Sequence, residues 1–335
     1  MANGGSCTTL RCRPRFVHDG RVRSLLVTLG LFATSCTPTL ATTLVPELAG
    51  SDAGVVQVVD AGPQCPCVQW GTPRNAGAVQ DPLVELSGLV ASRAQPGVLY
   101  AHNDSGDTAR FFAIGADARL LQTFTLDGAT ANDWEDLALG PCPSGTCVYL
   151  GDIGDNLRIR TDYAIYRVPE PQVTSGTTSV TWERFPYQYP SAARHNAEAI
   201  FMHPFTGRLY LVAKEDTAVS EVYRFPLPFD AGTVATLELV ATLTVPGTTD
   251  RPLTAADVNP CGTAVLLRMY NRLVELRLPP TETDFEKIFL ETPITVPFAN
   301  EGQGEAVAYS ASGMSYFTAS EKLVDPPPLY EFRCR

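Results

Sequence analysis

The chain has 335 residues, 25 Lys and Arg against 36 Asp and Glu, and nine cysteines. A formal charge of −11 and a pI near 4.9 exclude the basic face a nucleic-acid binder presents to phosphate. With 44% hydrophobic residues a sizeable core is available, which excludes wholesale disorder.

Residues 1–35 read as an export signal. Arg11, Arg13, Arg15, Arg21 and Arg23 form a basic n-region, and Ser24 to Thr34 is apolar but too short to span a bilayer. Ala33-Thr34-Ser35-Cys36 resembles a bacterial lipoprotein box, so Cys36 is the expected lipidated N-terminus, with plain secretion as the alternative. Loss of residues 1–35 leaves 20 basic against 35 acidic residues, a charge of −15. Residues 36–64, rich in Thr, Ala, Gly, Val and Pro, read as a flexible tether, and 65–335 as the folded domain.

Cys65, Cys67, Cys142, Cys147, Cys261 and Cys334 remain, an even number that favours three disulfides in an exported chain. Cys142 and Cys147 flank the turn Pro-Ser-Gly-Thr and form the firmest pair. Cys65-Pro66-Cys67 has poor spacing for zinc.

From residue 80 onward one pattern recurs five times. Each copy opens on Glu85-Leu-Ser-Gly-Leu-Val, Trp134-Glu-Asp-Leu-Ala, Asn196-Ala-Glu-Ala-Ile-Phe, Ala255-Ala-Asp-Val-Asn or Gly304-Glu-Ala-Val-Ala-Tyr. A Gly-containing turn follows, then a strand beginning at Val98, Val148, Leu209, Val265 or Tyr316. A third strand alternates apolar residues at Arg110, Ala164, Val222, Leu273 and Leu329. A fourth is predicted at 121–126, 179–187, 237–245 and 288–296. Four antiparallel strands in units of about 50 residues describe an all-β propeller of five blades, with six as the alternative. The fifth copy ends after three strands. Closure is therefore expected from an N-terminal strand at Val68-Gln-Trp, which places Cys65 or Cys67 beside Cys334. Cys261 takes the remaining partner or stays free.

In a propeller the start of each first strand and the end of each second strand meet at one mouth of the channel. That places Asn103, Asp104, Glu135, Asp136, Glu198, Lys214, Glu215, Asp257, Arg268, Glu305 and Glu321 there, with Glu85 beside them. So many carboxylates need a cation, Lys214 and Arg268, or raised pKa values. Ca²⁺ is the candidate cofactor, since it takes six to eight oxygen ligands. Asp152, Asp155 and Asn156 on Gly151-Asp-Ile-Gly-Asp-Asn, and Asp104 on the 102–107 turn, are its candidate ligands. The competing structural reading is that these side chains cap their own turns. Trp134 is read chiefly as a residue packed between blades, with ligand stacking as the alternative. His102 and His195 are candidate acids or bases, though a hydrogen-bonding role is the commoner use of a lone His. No Gly-x-Ser-x-Gly elbow, His-Glu-x-x-His or P-loop is present.

On Asn103-Asp-Ser-Gly, Asp133-Trp-Glu-Asp-Leu-Ala, Gly151-Asp-Ile-Gly-Asp-Asn, Asn196-Ala-Glu-Ala-Ile and Gly304-Glu-Ala-Val-Ala, residues 83–335 resemble exported bacterial β-propeller proteins of unassigned function. They are more distantly similar to the phytase-like, or esterase-like, propeller superfamily. The resemblance implies a propeller with an acidic channel mouth that takes Ca²⁺. A phytase-like site would want several cations for substrate, and this chain offers mainly Lys214 and Arg268 at the expected mouth. The functional expectation is a lipid-anchored, monomeric envelope protein binding a small-molecule or envelope ligand at that mouth. A metal-dependent phosphoester or glycoside hydrolase is the alternative, and an envelope scaffold a third reading.

Overall fold

The computed structural model describes residues 63, 65–214, 219–244, 252–321 and 326–335. The expected export signal, Cys36, most of the tether and Glu215 lie outside these residues. Strand β1 (Arg74–Ala78) precedes the first blade of β2 (Leu86–Ala91), β3 (Val98–Asn103), β4 (Arg110–Gly115) and β5 (Leu120–Thr125). The second blade holds β6 (Trp134–Cys142), β7 (Gly145–Asp152) and β8 (Ala164–Pro169); after the short β9 (Gly176–Ser179) it ends on β10 (Glu183–Gln188). The third holds β11 (Ala197–Met202), β12 (Leu209–Ala213) and β13 (Val219–Arg224); after β14 (Ala235–Thr236) it ends on β15 (Glu238–Thr244). The fourth holds β16 (Leu253–Val258), β17 (Ala264–Met269), β18 (Arg272–Arg277) and β19 (Ile294–Thr295). The fifth holds β20 (Gly304–Tyr309), β21 (Ser315–Ser320) and β22 (Pro328–Arg333), and takes β1 as its outer strand. The protein is a five-bladed β-propeller closed by an N-terminal strand.

The innermost strands β2, β6, β11, β16 and β20 touch their neighbours around the ring, with β20 against β2 at the closure. A narrow hub leaves little room for side chains, and four of these strands read LSGLVA, AEAIFM, LTAADV and GEAVAY, buried at every position. The larger apolar residues lie between blades. One cluster joins blades 1 and 2 through Tyr100, Phe111, Trp134 and Tyr166, and another joins blades 3 and 4 through Phe201, Tyr210, Phe285 and Phe289. Burying each such side chain contributes about 1.5–3 kcal/mol, which makes blade–blade packing the main cohesion of the ring.

Three elements differ from the sequence-based expectation. The closing strand is Arg74–Ala78, not Val68–Trp70. Trp70 pairs only through an isolated bridge to Cys334, its buried ring packing on Tyr309 and Tyr316, and Val68 is exposed. The true strand reads RNAGA and lacks β-branched residues; it is fixed by its ladder to β22 and by the Arg74–Glu331 ion pair. Gly77 is required there, because a Cβ would lie 1.9 Å from the Asp117 carbonyl oxygen. The expected strand 288–296 begins instead as a 3₁₀ turn, Phe285–Leu290, capped by the Asp284 side chain, with Phe285, Ile288 and Phe289 turned into the core; only Ile294–Thr295 pair. The expected strand 179–187 is divided between two blades, since β9 pairs in parallel with β5 and only β10 stays in its own sheet.

Three disulfides are present: Cys142–Cys147, Cys67–Cys334 and Cys65–Cys261. Cys67–Cys334 sits beside the closing blade, as the closure argument requires, and Cys261 takes Cys65.

Candidate functional site: an acidic channel mouth

Each inner strand carries a break in register near its start, a β-bulge. It falls between Leu86 and Leu89, Trp134 and Asp136, Ala197 and Ala199, Leu253 and Ala255, and Gly304 and Ala306. The skipped residues are Ser87 with Gly88, then Glu135, Glu198, Thr254 and Glu305. Bulges re-aim one side chain out of the alternating pattern. Three of the five equivalent positions therefore bring a glutamate to the same end of the hub. Ser87 and Thr254 instead bond to the neighbouring blade, at Glu135 O (2.5 Å) and Gly304 O (2.8 Å).

Around these glutamates stand Asp104, Asp133, Lys214, Tyr270, Gln303 and Glu321. Lys214 Nζ donates to Glu198 Oε2 at 2.5 Å and to the Tyr270 hydroxyl at 2.9 Å. Burial opposes the Lys214 charge, and Glu198 with Tyr270 more than offsets this, so its pKa is raised. Gln303 Nε2 donates to Glu305 Oε1 at 3.1 Å and also to Glu321. Burial pushes Glu198 up to about 7 against the pull of Lys214. Burial and the nearby Glu198 push Glu305 up to about 8. Glu135 is raised well above its usual range by burial and by Glu198, Asp104 and Asp133. Burial with Asp104 beside it carries Asp133 to about 6.

Asp104, Asp133 and Glu135 can each offer one carboxylate oxygen such that all three oxygens lie within 4.8 Å of one another. The turn from Gly151 to Asp155 folds back over them. The amides of Ile153 and Gly154 both donate to Asp133 O at 3.1 Å, and a Cβ on Gly154 would lie 2.0 Å from Glu135 Oε1 and 2.5 Å from Asp133 Oδ2. Glycine is thus what lets this turn approach the carboxylates.

Of the residues expected at the mouth, Asp104, Glu135, Glu198, Lys214, Glu305 and Glu321 meet there. Asn103 is the buried last residue of β3, beside it: its Oδ1 accepts from Glu85 N, and its Nδ2 donates to Pro82 O and Asp107. Asp136 lies deeper at the hub, accepting from the amides of Leu137, Ile200 and Ala256 in three blades. Asp257 belongs to the opposite end of the channel, where it accepts from Val258 N and Tyr309 N. The bulge register shows why, since Thr254 rather than Asp257 is the blade-4 counterpart of Glu135. Arg268 is fully buried between blades 4 and 5, paired with Glu301 at 2.7 Å.

Asp152, Asp155 and Asn156 adopt the turn-capping arrangement. Asp152 pairs with Arg160 at 2.7 Å and caps Asp133 N. Asp155 accepts from Ile159 N, Arg160 N and the Tyr163 hydroxyl. Asn156 Oδ1 accepts from Asn196 Nδ2. The turn thereby reaches the mouth through Asn196, whose Nδ2 also donates to Glu198 Oε1 at 2.9 Å. Trp134 is buried against His102 and Tyr166. His102 is fully buried, its Nδ1 2.7 Å from Asn103 O, and burial lowers its pKa to about 4. His195 packs on Tyr189 and Tyr223, with Nε2 3.0 Å from the Tyr223 hydroxyl.

Sequence reasoning quoted Asp133 and Gly154 within motifs without giving either a role at the site, and missed Tyr270 and Gln303. Counting back from the bulge would have found Asp133, two residues before Glu135. Tyr270 and Gln303 lie just beyond a strand end and just before a strand start, where pattern carries no signal.

No known protein family matches the chain, and no curated protein matches it. Among solved structures it is similar to a provisionally assigned 6-phosphogluconolactonase from Bacteroides uniformis, at 14% identity and a TM-score of 0.36, over 73% of this chain and 66% of that one. It is also similar to the β-propeller domain of Cps50 (Swd1) from Myceliophteria thermophila, at 9% identity and a TM-score of 0.41, over 80% of this chain and 99% of that one. A third is an auxiliary nutrient binding protein from Bacteroides thetaiotaomicron, at 9% identity and a TM-score of 0.41, over 79% of this chain and 77% of that one.

Proposed function

We propose that the protein is an exported envelope propeller whose acidic mouth binds a hard divalent cation, Ca²⁺ first, and through it a small polar ligand or an envelope partner. The observation that carries this reading is the set of Asp104, Asp133 and Glu135, with three carboxylate oxygens within 4.8 Å of one another. Hard cations prefer such oxygen ligands and complete their shell with water, carbonyls or a ligand oxygen. Three disulfides among the described residues support an oxidising compartment and hence export. The lipid anchor at Cys36 and the distant phytase-like kinship belong to the same proposal. Titration of EDTA-treated protein with CaCl₂ tests it: the melting temperature rises with wild-type protein and stays flat with Glu135→Gln.

One observation favours a hydrolase as the second reading. Arg160 pulls against the upward shift of Asp133, and Lys214 against those of Glu135 and Glu305, so two cations, paired with Asp152 and Glu198, flank the carboxylates where an anionic substrate would bind. A bound metal would supply an activated water there. Hydrolysis of phosphomonoester or glycoside substrates that depends on added Ca²⁺ would establish this reading, and binding without turnover would leave the first.

A further inference from the structure

The channel has a second mouth, at the far ends of the inner strands, and its chemistry is the reverse of the first. A cavity of about 290 Å³ opens there. All five blades contribute to its wall, through Arg93, Pro141, Pro204, Pro260 and Ala311, and Pro63 adds the N-terminal segment. Arg93 is the one charged side chain among the lining residues.

Arg93 is poorly satisfied. A guanidinium has five N–H donors. Among the described residues the buried Nε of Arg93 has no partner, and Nη2 reaches only Val258 O, at the long distance of 3.4 Å. No carboxylate among the described residues makes an ion pair with it. The two acids that feel its charge are Asp257 and Glu170. Both Asp257 oxygens are taken by backbone amides, at 2.8 and 2.7 Å. Glu170 accepts from Ser92 Oγ and, at 3.5 Å, from the Tyr100 hydroxyl. Desolvating a cation without a matched anion is costly, so the site favours an anion supplied from outside. Proline has no N–H, so the proline wall offers apolar surface and few donors.

We propose that this lower mouth binds a small monocarboxylate with an apolar body, its carboxylate bidentate on Arg93 and its body against the proline ring. The planar fork of arginine matches a carboxylate in that geometry. The volume lies near the small end of ligand pockets, which run about 300–1,000 Å³. Asp257 and Glu170, the two acids whose charge reaches Arg93, disfavour multiply charged anions. This site is independent of the cation reading of the upper mouth.

Benzoate is the probe, titrated calorimetrically into the full chain in EDTA, with benzamide and inorganic phosphate as the two other arms. Benzoate binds saturably, while benzamide, which lacks the charge, and phosphate, which lacks the apolar body, do not. Arg93→Gln weakens benzoate binding by about tenfold or more, the scale of one charge-assisted bidentate pair. Ala311→Phe, which fills the cavity from another blade and leaves Arg93 intact, abolishes binding; this variant keeps the test open if Arg93→Gln does not fold. Equal binding of benzoate and benzamide, unchanged affinity in folded Arg93→Gln, or a wild-type Kd weaker than about 10 mM would overturn the proposal.

Discussion

Two residues show how much of this propeller rests on a single side chain or its absence. Asp136 joins blades 2, 3 and 4 by accepting one backbone amide from each. Removing the carboxylate leaves three buried donors without a partner, and each costs about 1–3 kcal/mol. Asp136→Ala should therefore lose roughly 3 kcal/mol or more of stability, measured by urea unfolding. Gly154 acts by having no side chain. Its backbone does not require positive φ, so Gly154→Ala is expected to keep the fold. The added Cβ would push into Glu135 and Asp133, and the variant should lose the calcium-induced rise in melting temperature. A Gly154→Ala protein that still binds Ca²⁺ as wild type would place the ion elsewhere.

At the scale of the strand, the bulge decides which residue meets the channel. One extra residue near the start of each inner strand directs Glu135, Glu198 and Glu305 to the mouth, and the same device in blade 4 presents Thr254. Closure is the second event at this scale. The β1 ladder and the Cys67–Cys334 bridge both tie the two ends of the ring together. Native bridges typically contribute roughly 2–4 kcal/mol, and the chain-entropy model puts so long a loop above that range, so Cys67→Ser with Cys334→Ser should lower stability by about 2 kcal/mol or more. An unchanged unfolding midpoint would assign closure to the β1 ladder and the Trp70 packing.

The elements that were legible in the sequence, and those that were not, follow from the same physics. Inner and second strands announce themselves, because burial on both faces forces apolar or small residues at most positions. The Cys142–Cys147 hairpin was readable from its turn. The closing strand was not, since RNAGA is held by pairing partners 250 or more residues away and carries no pattern of its own. Likewise the Ala255-Ala-Asp-Val-Asn segment looks like its sister motifs, yet its acid falls three residues past the bulge, and so Asp257 lies at the far end.

For the whole molecule, the acidic charge becomes a property of one mouth that depends on pH. Burial raises Glu198 to about 7 and Glu305 to about 8, above the ordinary glutamate value of 4.5. Between about pH 4.5 and 8 the folded protein therefore holds more protons than the unfolded chain, so stability falls as pH rises through this window. In EDTA the melting temperature should decline from pH 5 to pH 8, and Glu305→Gln should flatten the decline. A profile that rises across this range would contradict the placement of these carboxyls.

A cation at the mouth would oppose that repulsion. Calorimetric titration of CaCl₂ into EDTA-treated wild-type protein and Glu135→Gln at neutral pH tests it most directly. One saturable site is expected in wild type, with a Kd on the order of 0.1–1 mM, the range of weak calcium modules, and none in the variant. Absence of binding in wild type up to about 10 mM, or identical binding in both proteins, would contradict it.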